Sequence, residues 1–385
     1  VENYAPVHLL LHAAQWQWFG ESVRGYHVVN IVVHALAAGL LVLLFVRSGI
    51  APVAALLAGL FFLVHPGNVE AVAWISQLKT TSSMVFCIGA LLAHPRRPGW
   101  AVVLFALALL AKPTALVALP VVMALGWVRT RPEDGPAPAW RWGWVGLWFV
   151  VLGGFAVAEW MAFSSTAGQA PPLYAEIDVR IRSTLANALR YLVRSVTGFG
   201  VSVFHEPPPA QSWGDPWWLA SIPVLIALAW RTLVTLRRRS EEFAWWIWAI
   251  AGFAPVSGVI PLPYPMADRY LYFMLPGLLG GVLLAGPEVA RSIARVFGGA
   301  GAPSVGTCRN ARRVALALAA VAVLVFSVQS WERAHVWQRL AFFMAEAEQN
   351  YPEGVVARTR QASRAAFRGD AETAVWALRE ARARG

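Results

Sequence analysis

The chain has 385 residues, 58% of them hydrophobic and 14% charged, with 20 tryptophans and a mean hydropathy of +0.53; this excludes a soluble globular protein and leaves an integral membrane protein whose indoles anchor at the interfaces. The net charge of +11 does not point to nucleic acid, because the arginines are spread over loops between apolar spans instead of gathered on one soluble face. Cys87 and Cys308 offer neither a disulfide framework nor a metal-ligand spacing, so redox chemistry is excluded as well.

Val1 is not a start methionine and no signal peptide precedes it, so the natural N-terminus, and an earlier span with it, is expected upstream. Tyr4 to Gly20 is short, Trp-rich and amphipathic, which predicts a helix lying in the membrane interface. Apolar runs follow at about 29–46, 50–64, 80–93, 99–111, 114–128, 142–162, 217–236, 243–261, 270–286 and 313–330. They predict an all-α, polytopic transmembrane helical bundle of about ten spans over 1–330. Several are shorter than the ~20 residues a crossing needs. Broken helices of that kind are tolerated where their polar flanks face a protein-lined cavity.

With residue 1 outside, the inner loops hold fifteen cations: Arg47, Arg96, Arg97, Arg129, Arg131, Arg141, Arg231, Arg237, Arg238, Arg239, Arg291, Arg295, Arg309, Arg312 and Arg313. The outer side up to residue 330 holds eight: Arg24, Lys79, Lys112, Arg180, Arg182, Arg190, Arg194 and Arg269. Four of those eight lie in one long loop that the positive-inside rule weights little, so an outer start is favoured. The same orientation gathers His65 to Lys79, Lys112, the loop 163–216 and Pro261 to Tyr272 on the non-cytoplasmic side.

The segment His65 to Lys79 sets an imidazole, a carboxylate and an ammonium group inside apolar sequence. Charges at membrane depth mark a functional site unless they have another explanation. Lys79 and Lys112 are the only lysines in a chain that otherwise uses arginine. A lysine is a compact point charge that suits a phosphate oxygen in a tight pocket, while two lysines that snorkel to the interface are the alternative.

Leu173 to Arg194 has Arg180, Arg190 and Arg194 at helical spacing beside Leu185, Leu189 and Leu192, which predicts a helix along the membrane surface. In Val203 to Pro209 the three prolines forbid helix and hold His205 and Glu206 in an extended turn, either as a site or as a rigid loop. At the head of the next apolar run, Asp268 either caps the helix or orients Arg269 toward a phosphorylated ligand. Beyond residue 330 the chain changes character. Ala357 to Arg368 and Ala371 to Arg384 read as an antiparallel pair turning at Gly369-Asp370, a tetratricopeptide-like unit within 331–385, with more repeats expected beyond Gly385.

Four groups of residues occur in order: Gly25-Tyr-His-Val-Val-Asn30 with His34; Phe62-Leu-Val-His-Pro66 with Val69-Glu-Ala-Val-Ala-Trp74; Ala111-Lys-Pro113 with Leu119-Pro120; and Met266-Ala-Asp-Arg-Tyr270. With Leu185-Ala-Asn-Ala-Leu189 and the final helical unit, the pattern resembles bacterial membrane proteins with C-terminal tetratricopeptide repeats, related to the transmembrane-and-tetratricopeptide O-mannosyltransferases of the GT-C glycosyltransferase fold. The resemblance implies transfer of a sugar from a polyprenyl-phosphate donor to a protein or glycan acceptor on the outer side of a bacterial inner membrane, with the C-terminal unit on the periplasmic side. It assigns Lys79, Lys112 and Arg269 to the donor phosphate, and Tyr272, His205, His27 and Asn30 to substrate binding. Glu70, His65 and Asp268 take the catalytic roles, with Glu70 and His65 orienting the acceptor or a divalent metal. Departures point the other way: Asn68 stands where the family tends to have a second histidine, and Leu78 and Thr80 replace a polar pair around the lysine. The alternative is therefore a catalytically degenerate structural subunit of a membrane assembly, docking a protein partner through its outer loops and C-terminal helices. Transport of a lipid-linked substrate has no inverted-repeat signal in its favour.

Overall fold

A computed structural model describes residues 4–130, 142–163, 176–259, 265–297 and 305–384. Within the predicted features, positions 164–175 of the outer loop, including the start of the helix expected from Leu173, and 261–264 of the second polar island lie outside these residues. The described residues form helices α1 (Pro6–Phe19), α2 (Val23–Arg47), α3 (Pro52–Leu63), α4 (Val69–Ala73), α5 (Leu78–Ala93), α6 (Pro98–Ala111), α7 (Ala118–Arg129) and α8 (Trp142–Phe163). They continue as α9 (Ile177–Thr197), α10 (Pro216–Arg237), α11 (Glu241–Phe253), α12 (Asp268–Phe297), α13 (Val305–Val336), α14 (Leu340–Asn350), α15 (Val355–Phe367) and α16 (Ala371–Arg384). The architecture is all-helical, and each of the ten apolar runs lies largely in a helix.

Among the described residues six helices are long and apolar enough to cross a membrane: Val23–Arg47, Ile75–Ala93, Trp142–Phe163, Pro216–Arg237, Asp268–Ser292 and Arg313–Val336. A bent pair, Pro52–Leu63 with Pro66–Ala73, turns by 51° and adds a seventh, while Pro98–Ala111 and Pro113–Arg129 are shorter apolar helices. This is the build of a multi-pass membrane bundle. The short members meet where the sequence carries Pro66 and Pro113, each of which lacks an amide donor and pushes the residue before it out of helix.

Opposite ends of the helices carry different chemistry. At the C-terminal ends of α2, α5 and α7, Arg47 donates to the Leu92 carbonyl at 3.1 Å and Arg129 grips Glu241 at 2.5 and 3.0 Å. Arg231 joins Glu242 and Glu288 at 2.6 and 2.7 Å, and Arg238 adds a contact to Glu288 at 2.6 Å. The starts of α5 and α12 carry Lys79 and Arg269, and Lys112 links α6 to α7.

Helix α9 forms as expected, but its arginines face inward. Arg182, Arg190 and Arg194 are buried, while Ile181, Val193 and Val196 are exposed. Arg182 donates to the carbonyls of Ala210 and Gln211 at 3.0 Å, pairs with Asp178 and lies over Trp213. Arg182 fastens the loop that follows, Arg190 donates to Asn187 within the helix, and Ile181, Val193 and Val196 are left on the outer face. The final helices α15 and α16 pack together across Gly369, whose φ of +79° is the left-handed conformation a glycine adopts without strain. Helix α13 runs through residue 330 without a break as far as Val336.

Glycines set how closely α11 and α12 approach. A methyl on Gly277 would lie 2.3 Å from the Ala249 amide nitrogen and 2.7 Å from the Trp245 carbonyl, and one on Gly252 would lie 2.7 Å from the Phe273 carbonyl. Small residues at such crossings permit backbone contact that lipid would not otherwise drive. Gly277→Ala is therefore expected to destabilise the bundle by at least the ~1–3 kcal/mol typical of overpacking. Gly153→Ala on α8, where an added methyl meets nothing within 4 Å, is expected to be neutral or slightly stabilising. Thermal unfolding in detergent, followed by circular dichroism, compares the two; equal midpoints would refute the close approach.

Candidate functional site

The site is built on the break after α3. His65 takes an extended conformation before Pro66, one 3-10 turn (Pro66–Asn68) leads into α4, and Trp74 is extended again before the turn Ile75–Gln77 enters α5. Each break frees backbone carbonyls that cannot be left unsatisfied among apolar helices. Side chains take them. Asn68 donates to the Phe62 carbonyl at 2.7 Å, Ser330 to the Val64 carbonyl at 2.7 Å, and Asn30 to the Val72 carbonyl at 3.1 Å. His65 accepts the Gly67 amide on Nδ1 at 3.0 Å, which requires the proton on Nε2, and that nitrogen donates to the Ser195 carbonyl at 3.2 Å. His65 and Asn30, expected in catalysis and substrate binding, are thus brackets for the break.

Glu70 is buried on α4 and faces the start of α12. One carboxylate oxygen accepts the Arg269 amide at 2.8 Å and the other binds the Arg269 guanidinium. The guanidinium also lies over Trp74 and Tyr270, at 5.4 and 5.0 Å from the ring centroids. Arg269 was expected to be oriented by Asp268. Successive helical residues point about 100° apart, and Asp268 turns away instead. Its carboxylate receives the His205 Nε2 proton at 2.6 Å and the Ser202 amide at 2.9 Å, with Arg333 at 4.0 Å.

Lys112 is extended between α6 and the turn Pro113–Val117, and its ammonium donates to the Thr80 hydroxyl at 2.7 Å. Thr80 passes its own proton to Gln77 Oε1 at 2.6 Å. Thr80 is thus the acceptor for a lysine. Lys79, half-buried next to it, makes no hydrogen bond or ion pair with any described residue. Lys79, Lys112, Arg269 and Glu70 are close enough to act on one another electrostatically.

Other expected residues lie elsewhere. Tyr272 is fully buried in the core and donates to His34 Nδ1 at 2.8 Å, while His34 Nε2 donates to the Leu63 carbonyl. It supports α12 from within and faces no open space. His27 is half-buried on α2 without a polar contact to a described residue. His205 sits in a second cluster with Asp268, its Nδ1 accepting from the Tyr351 hydroxyl at 3.2 Å. That cluster ties in the C-terminal helices: Asn350 donates to Ser202 at 3.0 Å, Arg333 binds Glu346, and Phe204 meets Phe343 edge-on. Arg333, Trp74 and Trp337, which stacks on Trp74 at 6.3 Å, were not singled out from the sequence as site residues. An arginine closing an apolar helix was the available signal for the first.

Among the described residues no three His, Cys, Asp or Glu side chains converge to hold a metal ion. Glu70 and Asp268 are each saturated by a cationic or N–H partner, so the residues present do not fit a divalent cation.

No protein-family model matches the chain, and no curated protein matches it. Among solved structures it is similar to the archaeal oligosaccharyltransferase AglB from Archaeoglobus fulgidus in complex with an inhibitory peptide and a dolichol-phosphate, at 15% identity and a TM-score of 0.42, over 85% of this chain and 48% of that one. It is also similar to the Archaeoglobus fulgidus oligosaccharyltransferase tethered with an acceptor peptide containing the NVT sequon, at 14% identity and a TM-score of 0.42, over 90% of this chain and 50% of that one. The chain spans about half the length of these structures, and similarity at this level assigns no residue and no reaction.

The pairing of Glu70 with Arg269 predicts a coupled response. Glu70→Ala or Arg269→Ala, each stranding a buried charge, should cost about 3–5 kcal/mol. The double variant should cost less than the sum by up to ~3 kcal/mol. Equilibrium unfolding in detergent measures the cycle, and strict additivity would mean the two groups do not interact.

Burial holds the His205 imidazole below its ordinary value of 6.5, with Asp268 opposing the effect. A histidine neutral in the fold and protonated when released stabilises the fold fully above pH 6.5 and progressively less as pH falls below it. The melting temperature of the wild-type chain should therefore fall more steeply between about pH 6.5 and 5 than that of His205→Gln, which keeps a donor for Asp268. Parallel pH profiles would remove the histidine as the cause.

Proposed function

We propose that the chain binds the phosphate of a polyprenyl-phosphate sugar at the Glu70 site and moves the sugar to a protein or glycan acceptor on the outer side of the membrane. The observation that supports this most directly is the charge balance. Lys79, Lys112 and Arg269 share one carboxylate, Glu70, and Lys79 has no partner among the described residues. A surplus of positive charge among apolar helices is costly unless an anion completes it. A lipid phosphate entering from the bilayer is such an anion, and lysine suits a single phosphate oxygen.

The transfer itself is inferred from the resemblance carried by Gly25 to Asn30, Phe62 to Trp74, Ala111 to Pro113 and Met266 to Tyr270. In that chemistry the acceptor oxygen bonds to the anomeric carbon as the bond from that carbon to the phosphate oxygen breaks, and the acceptor's hydroxyl proton is released to water on the outer side. The polyprenyl phosphate departs with added negative charge, which Lys79, Lys112 and Arg269 stabilise. Glu70 serves as counter-ion to Arg269, and Asp268 as hydrogen-bond acceptor for His205. The arginine-rich helix ends around Arg129 and Arg231 to Arg239 suit the cytoplasmic side of a bacterial inner membrane, which supports a periplasmic setting for the site and 331–385.

A second reading, a structural subunit, is favoured by one observation. Phe367 is 95% exposed, with Val375, Trp376 and Leu378 also exposed on the last two helices. Such a surface would take a protein partner, in the manner of stacked helical repeats.

Lys79→Ala separates the two. Because Lys79 holds nothing in the fold, the melting temperature should not change, while binding of a polyprenyl-phosphate sugar in nanodiscs should weaken by about 2–5 kcal/mol if the phosphate contact is desolvated. Unaltered affinity would refute the lipid-phosphate site.

A further inference from the structure

Helix α1 has its polarity reversed. Leu9, Leu10, Trp16 and Trp18 are exposed, whereas His8, His12 and Gln15, at i, i+4 and i+7, share the face that packs toward α2, α5 and α6. Gln15 is only 3% exposed; its amide interacts with His12 alone, and neither atom completes a hydrogen bond of normal geometry to a described residue. His8 Nδ1 is buried and unpartnered too, and the His8 and His12 rings meet edge-on at 4.4 Å. Polar groups turned inward on an otherwise apolar helix, with hydrogen-bonding capacity left over, imply something that takes it up.

We infer that His8, His12 and Gln15 form a subsite for the hydroxyl groups of the sugar on a lipid phosphate, beside Lys79; this rests on the lipid-phosphate reading and adds the recognition of the group to be transferred. The chemistry of the lining selects the ligand. A neutral imidazole offers one donor and one acceptor, and a glutamine amide offers both. Sugar hydroxyls are likewise donor and acceptor at once. A phosphate would call for donors alone, and a metal ion is disfavoured by the ammonium group of Lys79, whose charge reaches His8. His8 stays uncharged at neutral pH: burial chiefly, with His12 and Lys79 adding to it, pushes its pKa down to about 4. Lys79 thus stands between the two parts of the ligand, the phosphate toward Lys112 and Arg269 and the sugar toward α1.

The test compares polyprenyl phosphate with and without one hexose, each bound to the full chain in phosphatidylcholine nanodiscs. The hexose should strengthen wild-type binding about tenfold or more, as two or three neutral hydrogen bonds would. His12→Phe with Gln15→Leu should erase that gain and leave the bare lipid bound within about twofold of wild type. A gain retained in this variant, or equal weakening of both lipids, would overturn the subsite. A second measurement needs neither the variant nor the phosphate: an alkyl hexoside should shield His8 and His12 of the wild-type chain from diethylpyrocarbonate. Shielding without any binding of bare polyprenyl phosphate would support the subsite while rejecting the phosphate site. No shielding, in a chain that still binds the bare lipid, would do the reverse.

Discussion

The interruption of the chain after Leu63 is the constraint from which the site follows. An apolar bundle has no water for the carbonyls that a helix break exposes, so the break exists only because Asn68, Ser330 and Asn30 accept the task of bonding them. Pro66 forces the interruption, and His65 with its two backbone bonds fixes the direction in which the chain leaves it. What the break gains is a short helix aimed across the bundle. That helix carries Glu70 to Arg269, and the charged site is the consequence.

Two adjacent residues, Asp268 and Arg269, then divide the outer end of the bundle between them. Arg269 belongs to the bundle through Glu70, while Asp268 belongs to the 202–205 loop and, through His205, Tyr351, Arg333 and Glu346, to the C-terminal helices. The buried Arg182 of α9 closes the arrangement by pinning the following loop at Ala210 and Gln211. A polar layer assembled this way is stable only when nearly every group has its partner, and Asp268 and Glu70 each have at least two.

The helices were readable from composition, because only an apolar run can cross a membrane and only prolines and charges interrupt one. The two polar islands were readable for the same reason: Glu70, Lys79, Lys112 and Arg269 are conspicuous where charge is expensive. The pairings were not. Glu70 and Arg269 are 199 residues apart, and periodicity carries no information about which of several carboxylates a guanidinium will meet. The inward turn of the α9 arginines is not legible in the sequence, because an amphipathic pattern shows two faces without saying which one water occupies. Next to a bilayer, Arg182 and Arg194 are better satisfied by loop carbonyls and aromatic rings than by lipid. His65 and Asn30 looked chemical for a related reason: polar residues that repair a broken helix have the same composition as polar residues that do chemistry.

The glycine contacts between α11 and α12 also make a ruler of α12. With Gly277 against the Ala249 backbone and Gly280 against the Trp245 ring, the two helices pack at close contact, which fixes how one sits along the other. Arg269 and Glu288 stand on the same rod, 19 residues or about 28 Å apart at ~1.5 Å per residue. Glu288 is clasped by Arg231 and Arg238 at the opposite end. The separation of the Arg269 charge from the arginine layer at the other end of the bundle is thereby set by α12 itself, so the bundle holds the site at a fixed distance from that layer.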